Sequence, residues 1–141
     1  MVNFVKWIQD GITHPRLVIY LKGVAILMLL SAFSHLGSIM GIIGGSWVVK
    51  PWLFRLADLL LLPISLVLAW GLWRAMFWAV VAWLAAVVLF QAIPFLFFGE
   101  FFASDPNEQT MHYGQVLFHA ILLGILLLLL PRKKGTVHGK N

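Results

Sequence analysis

The sequence predicts an all-α fold, a four-helix transmembrane bundle with both termini on the cytoplasmic side. Three observations carry this. Hydrophobic residues make up 62% of the 141-residue chain, and its mean hydropathy is +0.96, more apolar surface than a soluble core of this size can hide. The apolar residues fall into four continuous runs, each near the ~20 residues that cross a bilayer core of ~30 Å. The ten Lys and Arg residues lie mainly at the ends of those runs. Continuous runs without alternation exclude a β-barrel.

Residues 1–22 form a mixed lead-in in which Phe4, Val5, Trp7 and Ile8 alternate with Asn3, Lys6, Gln9 and Asp10 before Gly11 and Pro15. This segment reads as an interfacial helix or a leader without structure. The transmembrane domain then covers residues 23–130 and a basic cytoplasmic tail covers 131–141. The first span is expected from Gly23 to Gly45, and its length argues for a retained helix rather than a cleaved signal. Loop one, Ser46 to Phe54, carries Trp47, Lys50, Pro51 and Trp52. The second span runs from Arg55 to Trp73 with Pro63 inside it, and Arg74 marks a tight turn. The third runs from Ala75 to Phe98, with Pro94 near its end. Gly99 to Met111 is a polar, acidic loop in which Ser104-Asp105-Pro106-Asn107-Glu108 has turn chemistry. The fourth span, His112 to Leu130, stops at Pro131.

Orientation follows from charge. With both termini inside, Lys6, Arg16, Lys22, Arg74, Arg132, Lys133, Lys134 and Lys140 face the cytoplasm, and only Lys50 and Arg55 face out. That bias is the positive-inside pattern. The net charge of +5 is therefore a topology signal with affinity for anionic headgroups. No basic stripe interleaved with aromatics points to nucleic acid. With no cysteine in the chain, disulfides, thiolate chemistry and iron–sulfur clusters are excluded.

Polar side chains inside apolar spans are costly unless paired, and each is a candidate functional residue. Ser31, Ser34, His35 and Ser38 share one face of the first span, alongside a row of small residues, Gly37, Gly41 and Gly45, that would admit a neighbouring helix. His112, Gln115 and His119 repeat the pattern in the fourth. Counting along the spans puts His35 and His119 at one depth, each ~3 Å outward of the middle at 1.5 Å per residue. Asp58 and Gln91 lie further out, so all four spans aim polar groups at the outer half. The inner halves carry Leu66, Val67, Leu68, Val80, Val81 and the leucine run 126–130.

Three chemistries use such a cluster. Two histidines at one depth are candidate axial ligands of b-type haem, with Lys50 and Arg55 for its propionates. His119, Gln115 and Gln91 beside Phe90, Phe95 and Phe97 suit a quinone or a lipid-like substrate, with proton uptake by His or Asp. In the third reading the cluster is structural, with Asp58 pairing with Arg55 and His35 bonding His119 across the bundle to fix register. The serines can equally bond back to carbonyls of their own helix. His35, Asp58 and His119 have no metal-ligand spacing, so no metal is expected. No nucleophile–base pair, phosphate loop or carboxylate pair identifies a reaction, and no pair of broken helices in equivalent repeats suggests a transporter.

The second span, Arg55-Leu56-Ala57-Asp58 through Gly71-Leu72-Trp73-Arg74, opens on an acidic residue and closes on a basic turn. The last span begins His119-Ala120-Ile121-Leu122-Leu123-Gly124 and runs into leucines. In this order of features, over roughly 60 residues, the chain resembles the DoxX-like family of small four-helix membrane proteins. That family more often has Glu at the acidic position, from which Asp58 departs. The resemblance implies the fold and, through members associated with quinone-linked oxidation of sulfur compounds, a redox role.

The expectation is a multi-pass protein of a bacterial inner membrane, an accessory subunit or scaffold with an outer polar cluster of His35, His119, Gln91, Gln115 and Asp58. The alternative is a redox component holding quinone or haem there. The bilayer is the expected surrounding, and a membrane-protein partner or second copy is expected on the Gly37/Gly41/Gly45 face.

Overall fold

The computed structural model describes residues 12–93 and 106–130, with the side chains of Gln91, 106–109 and 111–112 outside the description. Among the described residues the chain is all-helical, with four α-helices and no strand. The first, α1, spans Pro15–Ile39; α2 spans Trp52–Trp73; α3 spans Phe77–Val87 and continues as a π-helical segment, Val88–Ala92; α4 spans Pro106–Leu129.

The start of α1 lies eight residues before the expected span. Pro15 occupies the first turn, where its missing N–H costs nothing, and the extended His14 offers its carbonyl to the amides of Leu17 and Val18. The helix ends at Ile39, short of the expected Gly45. Gly41 takes φ +72°, and the amides of Ile42 and Ile43 fold back to the Gly37 carbonyl at 2.9 and 3.1 Å. This is a glycine stop signal, which satisfies carbonyls that the helix end leaves open. Gly41 and Gly45 therefore belong to the loop rather than to a helical face. Gly37 is covered as well, since a Cβ there would meet Ile43 Cδ1 at 2.8 Å. The helical row of small residues expected from the spacing is corrected, because i, i+4, i+8 spacing aligns residues only while the helix continues.

A 3₁₀ turn, Trp47–Val49, leads through Lys50 and Pro51 into α2, which runs past Pro63 and ends at Trp73 as expected. The connection to α3 is tight. Ala75 adopts φ 50°, and the Met76 amide bonds the Gly71 carbonyl at 2.9 Å. Gly71 is what lets α3 approach, for a Cβ on it would lie 2.6 Å from the Cβ of Ala79 and 2.7 Å from the Trp78 ring. The third span was expected from Ala75 to Phe98; residues beyond 93 lie outside the described part. The polar turn expected around Pro106 is also corrected from Pro106 onward, because Pro106 opens α4.

The core gathers at one end. Leu17, Leu21, Val24 and Ala25 of α1 meet Leu68 and Leu72 of α2, Ala79, Val80 and Trp83 of α3, and Leu122, Leu126 and Leu130 at the close of α4. Tyr20 adds a polar tie, its hydroxyl donating to the Leu122 carbonyl at 2.6 Å. The main packed pair is α1 with α2; α3 leans on α2, and α4 touches α1 and the π segment. The outward faces are apolar, with Ile19, Leu30, Phe33, Leu59, Leu117 and Leu127 exposed. Two helices, α1 with 25 residues and α2 with 22, are long and apolar enough to cross a membrane. Two shorter apolar stretches are Phe77–Phe90 and Tyr113–Leu129.

Candidate functional site

At the end opposite the dry core, the polar face of α1 meets α2. His35 and Ser38 stand one turn apart on α1, and both bond Asp58 of α2. The His35 Nδ1 lies 2.9 Å from one carboxylate oxygen, and the Ser38 hydroxyl donates to the other at 2.5 Å. Asp58 is only 8% exposed, so leaving it unpaired would be expensive. Lys50 supplies the countercharge indirectly. Its ammonium donates to Ser38 Oγ at 2.7 Å and reaches the Ile43 carbonyl at 3.4 Å. Gly44 makes room for it, since a Cβ there would lie 3.1 Å from the Lys50 nitrogen.

This chain of contacts settles hydrogen directions. An ammonium only donates, so Ser38 accepts from Lys50 and sends its own proton to Asp58. A carboxylate only accepts, so the His35 Nδ1 carries the proton of that bond. Nε2 is then the nitrogen of His35 not engaged by Asp58. His119 is arranged alike, its Nδ1 lying 2.8 Å from the Gln115 carbonyl of its own helix. A carbonyl cannot donate, so here too Nδ1 is the protonated nitrogen.

Both histidines border one cavity of about 680 Å³. Its polar lining is His35, His119, Gln115, Ser31, Ser34 and Ser65, and its apolar walls include Leu27, Met28, Phe54, Ile64, Phe90 and Phe118. Trp83, which is 1% exposed, closes it toward the core. The buried indole N–H of Trp83 has no partner among the described residues. Ser31 and Ser65 face each other across α1 and α2, with their oxygens 3.5 Å apart. His35 alone of the Lys50–Ser38–Asp58–His35 chain lines the cavity, and so connects the two.

The sequence-predicted residues are thus partly reunited. His35 and Asp58 are in direct contact, while His119 and Gln115 border the same cavity as His35. The Gln91 side chain lies outside the described residues; Phe90 beside it lines the cavity. Two expected pairings are corrected. Asp58 is held by His35 and Ser38 rather than Arg55, whose guanidinium instead stacks 5.7 Å from the Trp47 ring. His35 and His119 each take a nearer acceptor instead of bonding each other. Ser38 and Ser31 reach across to α2 rather than back to their own helix. Ser65 and Trp83 were not singled out for the site by sequence reasoning, and Lys50 was named there only as a partner for haem propionates, not for Ser38. Lys50 read as a topology marker, and only the Gly44-Gly45 pair before it hinted at a loop turning back on α1. Among the described residues no three metal-ligating side chains come together.

No family model, no curated protein and no solved structure matches the chain. The likeness to the DoxX-like family therefore rests on the residues quoted for it.

Proposed function

We propose that the chain is a small multi-pass membrane protein, an accessory or subunit-type component, whose cavity receives a lipid-soluble molecule of the quinone class. The carrying observation is the cavity of about 680 Å³ in which apolar and aromatic walls meet a few polar groups, with His35 and His119 among them. The bilayer setting is supported by the exposed apolar faces and by the ends of α2. Lys22 lies over Trp73 and Arg74 over Trp70 at one end, and Arg55 lies over Trp47 at the other. Tryptophans with cations at both ends of a 22-residue helix, about 33 Å long, suit two headgroup layers. In this reading α3 with its π segment and α4 complete four spans in a bacterial inner membrane. Both termini are cytoplasmic and the cavity lies in the outer half, as the Lys and Arg bias requires. The DoxX-like resemblance agrees with this and with a redox setting.

The test is to purify the protein in mild detergent and identify its extractable lipids. Quinone or its reduced quinol retained by the wild type and lost in His119→Leu supports the reading; equal total amounts in both would sink it. A Soret band in the purified protein would replace it by a haem reading, since the two histidines keep Nε2 unspent by Asp58 and Gln115.

A purely structural role is favoured by one observation: the Lys50–Ser38–Asp58–His35 chain ties the loop and α1 to α2 without any ligand. Under that role the protein is a scaffold, and its apolar faces meet a membrane partner or a second copy. Thermal stability would then fall in His35→Ala with no change in bound lipid.

A further inference from the structure

The hydrogen-bond chain behind His35 points to a more specific ligand. We infer that the cavity selects a lipid-soluble phenol, a hydroxyl-bearing aromatic ring, over the corresponding ring carbonyl, with the hydroxyl donating to His35 Nε2. This rests on the reading of the cavity as a site for a lipid-soluble ring compound and names the form of it that binds.

The direction is set from outside inward. Lys50 can only donate, so Ser38 must point its proton at Asp58. Asp58 can only accept, so His35 must protonate Nδ1. In the neutral imidazole that leaves Nε2 as an acceptor, and the carboxylate behind the ring fixes that tautomer and the ring's orientation. His119 is fixed in the same sense by the Gln115 carbonyl. Both imidazoles bordering the cavity therefore ask for a donor. A quinone carbonyl brings a second acceptor to an acceptor, whereas a phenol brings the missing proton. The ring fits the aromatic part of the lining, Phe54, Phe90, Phe118 and Trp83.

The same chain predicts how to invert the preference. In Asp58→Asn, Ser38 still needs an acceptor, so the amide oxygen takes its side and the amide nitrogen faces His35. That nitrogen donates, His35 Nδ1 becomes the acceptor, and Nε2 becomes the donor, now suited to a carbonyl.

The experiment is calorimetric titration of the full chain in detergent with a long-chain alkylphenol, its O-methyl ether and the matching alkyl-benzoquinone. It is done at two pH values, about 7 and about 9, and the ranking is read at the higher one. The expected result is binding of the phenol about tenfold tighter than either other compound, the worth of one hydrogen bond. Asp58→Asn should shift the preference toward the benzoquinone, and His35→Phe should narrow the distinction to what His119 still imposes. Equal affinities, or a tighter benzoquinone in the wild type, would overturn the inference while leaving the cavity reading standing. Binding of none of the three overturns both. If Asp58→Asn does not fold, nitrogen NMR of wild-type His35 decides: Nδ1 protonated and Nε2 bare is expected, and the reverse overturns the proposal.

Discussion

Asp58 takes a bond from each of two α1 side chains, so removing its carboxylate orphans His35 and Ser38 together. Asp58→Leu is expected to lower stability by about 2–4 kcal/mol, read as a drop in the detergent unfolding midpoint. Arg55→Ala should have a far smaller effect, because Arg55 stacks on Trp47 and does not hold Asp58. Equal losses in the two variants would restore the Asp58–Arg55 pairing that sequence spacing suggested. That spacing was a fair guide to what lies on one helix and no guide to what lies across from it. Tyr20 offers a simpler case. Its hydroxyl donates across to the Leu122 carbonyl at 2.6 Å, and Tyr20→Phe should cost about 1 kcal/mol, with an unchanged midpoint arguing against the bond.

The elements differ in how well their limits could be read. The end of α2 at Trp73 was legible, because Arg74 follows an apolar run and a turn must sit before the next. The end of α1 was not. Gly41 and Gly45 repeat Gly37 at helical spacing, and nothing local distinguishes a small-residue row from a stop signal; the positive φ of Gly41 does. Proline misled at Pro106 for a related reason, since turns and helix starts both favour it. The α2–α3 connection yields a sharper expectation. Gly71→Val would push a side chain into Ala79 and the Trp78 ring, both nearer than 3 Å to its Cβ position, and should destabilise by roughly 1–3 kcal/mol. Tolerance of that change would show that α3 does not pack as closely on α2 as described. The π segment before the cavity is the kind of irregularity found at functional sites, and no periodicity in the run Val88–Ala92 announces it.

At the scale of the molecule, the polar network lies at the end opposite the dry core, and the cavity lies between them, bordered by His35 from the network and closed by Trp83 of the core. Orientation in the bilayer can be read directly, because the chain contains no cysteine and any introduced thiol is unique. Under the proposed topology, Val49→Cys in intact cells is labelled by a membrane-impermeant maleimide, while Arg74→Cys is labelled only after permeabilisation. The opposite pattern would reverse the orientation and move the cavity to the inner half. Counting residues along the runs grouped the polar residues by depth; in the structure His35 bonds Asp58, and His35, Gln115 and His119 border one cavity. What brings Lys50 among them is a loop that turns back on α1, and this depends on backbone angles that composition does not encode.

Helical class, the apolar runs, the charge asymmetry and the polar residues set within those runs are all written in the chain. Those follow from local chemistry, since each depends on a residue's own solvation cost or on its spacing along one helix. The partners came from packing between helices. It chose His35 and Ser38 for Asp58, a backbone carbonyl for His119 and an ammonium from the loop for Ser38. The physical reason is that a buried polar group takes whichever complementary group the packing brings within about 3 Å, and packing is a property of helix pairs rather than of any one run.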